Sequence, residues 1–428
     1  MENPGKEFRE KNLPELLEVA RGIKEPEYLC AGLISIAKIY AHFGNKKELL
    51  STLREIMGII SFMALGKEKA IALADTGILY AKSENMTVAG ELIAESVALG
   101  KKLQKDTKNK LYIMSAIHSS CVNEIKNTDA NDGLTDFLLY HALKTANLIT
   151  CPFYGILAML KTAEIYLMLK QQNNAVLFLE RAEKTIYEEK TKCLSAHTVA
   201  MMLPLLVQTE QNRKANYLLK CELEKLRTES IHPVTRTSGL FDLAEGCAEA
   251  GMKDEALLTL HEKIDTSDNT SKNCINFSPF GKMTEIYFKL GMREESLAVL
   301  NKLLPSIESS KPESLAGNML TVAWATEQYL KLGEKAAAEK LLDLVEFLPE
   351  KAKWSKDKIR LYIDVGNLFV KFKHLYKATE YWKKALARTG KIDDDEQKSA
   401  CACELSELYI SIVDGYEGGK NAQIKNEE

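Results

Sequence analysis

The sequence predicts an all-α fold, a solenoid made by repeating one pair of helices, and three observations carry the prediction. First, an aromatic or apolar residue recurs at Tyr40, Tyr80, Cys121, Tyr166, Leu206, Cys247, Tyr287, Tyr329, Phe369 and Tyr409. The intervals are all between 40 and 45 residues, a period at which each unit leaves an apolar face that only its neighbours cover. Second, each interval holds two amphipathic stretches of helical period around a short polar turn. Third, Gly44, Gly251, Gly291 and Gly333 each stand four residues after an anchor, where a helix end takes the left-handed conformation that glycine adopts cheaply.

From the N-terminus, residues 1–11 are polar and expected to be flexible, and residues 13–20 read as the second helix of an incomplete unit. In the first complete unit Ile36, Ala37 and Tyr40 stripe one helix, residues 42–45 turn, and Leu49, Leu50, Leu53 and Ile56 stripe the next. Later units repeat this, with Pro26, Pro152, Pro233 and Pro312 preceding first helices and Pro305 and Pro349 following second ones. The third unit is irregular, because His118 takes a small-residue position and residues 126–133 lengthen its turn. Pro204 falls inside a first helix and is expected to kink it or shift its start. Residues 398–413 read as a first helix without a partner, so both ends are expected to cap the stack. The tail is glycine-rich and polar. The expected organisation is a flexible segment over 1–11, one continuous array over 12–413 and a disordered tail over 414–428.

Composition narrows the function. Apolar residues make up 46% of the 428, and 57 basic against 60 acidic residues leave a net charge of −3. That balance gives no global reason to expect nucleic acid or an anionic membrane. A local group, Lys101, Lys102, Lys105, Lys108 and Lys110, suits a helix C-terminus and its dipole. With no signal-peptide pattern and no run of 18 apolar residues, the chain is expected to be soluble and cytoplasmic. Nine cysteines without CxxC spacing read as reduced core thiols. The seven histidines lack ligand spacing, and His118 reads as a core histidine. No phosphate loop, dinucleotide fingerprint or nucleophile motif is present. The expectation is therefore no enzyme, no cofactor and no metal site.

Three residues before the anchors stand small side chains (Ala37, Gly77, Ala163, Ala244, Gly366, Ser406). Nine after come Ala89, Ala175, Ala215, Ala256, Ser296, Ala338 and Ala378, and thirteen after, large residues from Leu53 and Ile93 to Trp382. This pattern resembles the tetratricopeptide repeat over residues 27–412, although the unit is longer than that family's and lacks its early tryptophan. The resemblance implies a right-handed α-α superhelix of about nine helix-turn-helix repeats plus capping half-repeats. It also implies a partner-binding groove lined by the first helices.

On that resemblance, the residue two before each anchor faces the groove: Lys38, Ile78, Ser119, Glu164, Pro204, Glu245, Glu285, Glu327, Asn367 and Glu407. The residue six before is apolar or small, from Ile34 and Ala74 through Phe241 to Ile363 and Cys403. The expectation is an apolar floor with an acidic ladder, and Glu164, Phe241, Glu245, Glu285, Glu327 and Glu407 are the candidate partner-binding residues. A plainer reading pairs Glu285 with Lys289 and Glu327 with Lys331 one helical turn apart. Neither Glu245 nor Glu164 has such a partner, which leaves room for a cationic ligand. The functional expectation is a non-catalytic scaffold whose groove holds a basic or amphipathic segment of another protein. The alternative is an RNA-binding helical array, which the acidic ladder opposes. Self-association through imperfectly capped ends is a third expectation.

Overall fold

A computed structural model describes residues 4–102, 107–128, 133–188, 196–228, 231–262, 278–308, 319–351 and 355–424. Among these residues there is helix and no strand. Pro312, Lys105 and the centre of the 126–133 turn lie outside them. The helices are α1 (Pro4–Arg21), α2 (Pro26–His42), α3 (Lys46–Phe62), α4 (Lys67–Lys82), α5 (Met86–Lys102), α6 (Thr107–Lys126), α7 (Gly133–Ala146), α8 (Pro152–Met168), α9 (Gln172–Glu188) and α10 (Ala196–Gln208). They continue as α11 (Asn212–Thr228), α12 (Pro233–Glu249), α13 (Lys253–His261), α14 (Ser278–Lys289), α15 (Arg293–Glu308), α16 (Met319–Lys331), α17 (Lys335–Glu346), α18 (Leu348–Lys351), α19 (Ser355–Lys371), α20 (Leu375–Thr389) and α21 (Asp395–Ile424).

Where one continuous array was expected, the chain divides into two compact units: residues 1–104 with 309–428, and residues 105–308. The second unit stacks the hairpins α6/α7, α8/α9, α10/α11, α12/α13 and α14/α15. The first contains α2/α3, α4/α5, α16/α17 and α19/α20, together with a pair assembled from the two ends of the chain, α1 and α21.

Eight of the hairpins turn by the same backbone device, α6/α7 being the exception because α6 runs on to Lys126. The anchor carbonyl accepts from the amide five residues on, as in Asn45 to Tyr40 at 2.8 Å, Gln171 to Tyr166 at 2.7 Å and His374 to Phe369 at 2.8 Å. This six-to-one bond closes the helix and requires a left-handed residue between. The expected glycines take it, with φ of 65° at Gly44 and 78° at Gly333. In four units Glu84, Lys170, Glu210 and Lys373 hold the same conformation, with φ between 58° and 68°. The bond therefore dictates the conformation even where the residue type resists it.

The anchors are buried throughout, as are the alanines and large residues that follow them. A Cβ on Gly77 would lie 2.9 Å from Ile93 Cγ1 and 3.0 Å from the Ala89 carbonyl oxygen. The small position thus seats the two later positions of its own unit, as the spacing predicted. His118 is buried and its Nε2 lies 3.1 Å from Thr162 Oγ1. Desolvation, aided by nearby Lys161, pushes its pKa down to about 4, so it is a neutral core histidine. The seven described cysteines form no disulfide among the described residues, and burial raises the pKa values of Cys30 and Cys247 to about 12.

Pro204 neither shifts the start of α10 nor ends it; the helix runs on both sides of it. Lacking an N–H, it leaves the Ala200 carbonyl without its helical donor. Gly246 of α12 packs there, so closely that a Cβ would sit 2.6 Å from Ala200 Cα. Pro305 likewise lies within α15 rather than after it, because Leu303 and Ile307 on either side remain buried.

The termini depart furthest from expectation. Helix begins at Pro4 and continues to Ile424, because each end packs on the other. Phe8 is buried, with its ring 5.4 Å from that of Trp382 and 5.1 Å from that of Tyr409. The Tyr409 hydroxyl donates to the Arg9 carbonyl at 3.1 Å. The Asp395 carboxylate accepts from the Lys24 and Glu25 amides at 2.9 and 2.8 Å, fixing the backbone that leads into α2. Those amide bonds, from Glu25 first and then Lys24, hold its pKa down against some desolvation. Ser35 Oγ lies 3.0 Å from Ser406 Oγ, and His42 Nε2 lies 2.9 Å from Asp414. The two half-units expected as caps therefore complete each other.

Two outcomes follow for stability. Replacing Lys170 or Lys373 with glycine removes left-handed strain and should stabilise by about 0.5 to 1 kcal/mol in urea titration. Phe8→Ala should destabilise by about 3 kcal/mol; a loss below about 1 kcal/mol would show that α1 is not integral to its unit.

Candidate functional site

The positions expected to carry the site separate into two groups. Glu164, Glu245 and Glu327 are partly exposed on first helices, and each is held by a lysine of a neighbouring unit. Lys126 Nζ lies 2.7 Å from Glu164, Lys289 Nζ lies 2.6 Å from both Glu245 and Glu249, and Lys371 pairs with Glu327. Glu285 is also engaged in a polar contact. Lys289 thus reaches back to the preceding unit rather than to Glu285 one turn away. The cation for which Glu245 and Glu164 left room comes from the chain itself. Burial disfavours the Lys289 charge, yet the two glutamate hydrogen bonds together outweigh that and raise its pKa.

The expected apolar floor is also displaced. Phe241 is only 2% exposed, and Ile34, Ala74, Leu160, Ala200 and Ile363 are buried as well. First helices pack side by side, α2 against α4 and α21 in the first unit and α12 against α10 and α14 in the second. Phe241 is buried among those helices and so belongs to the core.

Glu407 has different surroundings. It is exposed on α21 and forms no ion pair among the described residues. It lines a cavity of about 370 Å³ in the first unit, between the first helices α2, α4 and α21. Ala31, Ile34, Ile71, Ala72 and Ile410 form its apolar wall, with Tyr28, Ser35, Cys403 and Ser406 alongside. Its charged members are Glu27, Glu68, Asp75 and Glu407 against Lys38. The volume falls within the range of ligand-binding clefts.

Sequence reasoning found Lys38, Ile34, Cys403 and Glu407 at inward offsets but did not bring them together. The signal that existed was the pair of half-units, one at each end, whose association brings α21 beside α2. Beyond the cavity the acidic character extends along α21 and α19. Asp364 on α19 is pushed up to about 6, chiefly by burial and despite Arg360, with Glu404 adding repulsion. Glu404 is itself raised by burial, with Arg360 opposing and Glu407 adding.

Among the described residues no group of His, Cys, Asp or Glu has the arrangement of a metal site, and no helix is long and apolar enough to cross a membrane.

No protein-family model matches the sequence, and no curated protein matches it. Among solved structures the chain is similar to Ton1535 from Thermococcus onnurineus NA1, with 14% identity, 75% of this chain and 97% of that chain covered, and a TM-score of 0.30. It is similar to a Rap protein complexed with competence and sporulation factor, with 15% identity, coverage of 85% and 98%, and a TM-score of 0.33. It is also similar to a circular tandem repeat protein, with 13% identity, coverage of 96% and 100%, and a TM-score of 0.26.

The raised pKa of Asp364 gives a signed pH dependence. The folded chain holds a proton there that the unfolded chain releases from its ordinary carboxylate pKa upward, so this residue costs stability as pH rises from about 4 to 6. Asp364→Asn should therefore gain on the parent protein across that window and stay ahead above it, by about 2 kcal/mol. Chemical denaturation at pH 4, 5, 6 and 7 checks this; a constant difference would exclude the ionisation as its source.

Proposed function

We propose that this chain is a non-catalytic, tetratricopeptide-like scaffold that holds a segment of another protein in the cavity between α2, α4 and α21. A cytoplasmic location is part of this reading. The observation that carries it is the cavity itself, a solvent-facing apolar wall in a chain whose other inward apolar positions are mostly buried. Apolar surface open to water is stabilised by an occupant at roughly 25 cal/mol per Å² buried. The cavity wall joins five aliphatic residues to a rim of charged and hydroxyl side chains, a combination suited to an amphipathic segment. Its excess of carboxylates also counts against the RNA alternative, because a phosphate backbone is bound by cationic surfaces.

The test is affinity capture with the intact protein beside an Ala31→Trp variant. Ala31 is exposed on α2 and borders the cavity, so the indole fills the space without entering the core. Proteins retained by the intact chain and lost by the variant are the expected result. Identical sets on both baits would overturn the reading.

A further inference from the structure

The charge around the cavity goes further and names the kind of segment it takes. We infer that the occupant is a basic amphipathic peptide segment, which places an aliphatic side chain against Ala31, Ile34 and Ile71 and directs lysine or arginine side chains to Glu407 and its acidic neighbours. This rests on the reading of the cavity as a peptide site.

Three observations support the assignment. The cavity is lined by four carboxylates and one ammonium; Lys67 pairs with Glu68 at 3.4 Å and Asp75 is engaged in a contact of its own, which leaves Glu27 and Glu407 as the carboxylates a cationic ligand would answer. The excess is local, because elsewhere on the first helices Glu164, Glu245 and Glu327 are answered by lysines of the chain. Glu407 and Glu27 have no such pair among the described residues. Carboxylates also continue past the cavity, since Glu404 lies close enough to feel the charge of Glu407 and Asp364 that of Glu404, with Arg360 set among them. A segment leaving the cavity along α21 towards α19 therefore meets further carboxylates. Lys38, the one cation in the lining, sets register by repelling a basic residue on its side.

The experiment is selection of a random peptide display library on the intact protein, on Ala31→Trp and on Glu407→Lys. Glu407 is exposed, so its reversal tests charge without disturbing packing. Recovered peptides should pair an aliphatic residue with nearby lysine or arginine and be excluded by Ala31→Trp. Glu407→Lys should weaken them about tenfold, and added salt should weaken them further. Neutral or acidic peptides that Ala31→Trp still excludes would overturn the basic assignment and leave the peptide site standing. Recovery indifferent to both substitutions, or no recovery, would overturn both.

Discussion

The packing of α1 against α21 is the contact on which the first unit depends. A repeat array normally leaves an apolar face at each end, and polar capping units cover those faces. Here the chain begins with a second helix and ends with a first helix, and the two make one hairpin across almost the full length of the sequence. Phe8 packs against both Trp382 and Tyr409, and Asp395 holds the backbone that leads into α2. The cavity follows from the same contact, because its third wall, α21, comes from the far end of the chain.

Within the eight hairpins that share one turn the order of causes is equally definite. The bond from the fifth amide back to the anchor carbonyl fixes where the first helix ends. The left-handed residue that it demands is glycine in some units and lysine or glutamate in others. Small residues then let the second helix close on the first, and the large residue thirteen positions on fills the seam. A hairpin is thus specified by backbone hydrogen bonding at its turn and by side-chain volume along its length.

The charges on the first helices illustrate how linear spacing misleads. Glu285 and Lys289 stand one turn apart, yet Lys289 serves Glu245 and Glu249 on the preceding unit. Parallel first helices in adjacent units bring residues about one period apart as near as residues in adjacent turns. At partly exposed sites either pairing is worth little by itself, so the geometry of the stack decides between them. Among the described first helices Glu164, Glu245 and Glu327 are answered by lysines of the chain.

Local patterning in the sequence specifies the helical class, the period, the anchors, the glycine turns and the core position of His118. Those features depend on local hydrogen bonding and on burial patterns that repeat every few residues, and both are legible in one dimension. It also placed Glu407 at an inward offset. Only the tertiary structure decided that the ends are helical and joined, that Phe241 is core, that Glu164, Glu245 and Glu327 are already paired, and that the cavity lies beside α2. Each of these turns on which helix becomes the neighbour of which. For α1 and α21 that choice is made by the fit of Phe8, which lies outside the repeat pattern, against Trp382 and Tyr409 at the far end of the chain.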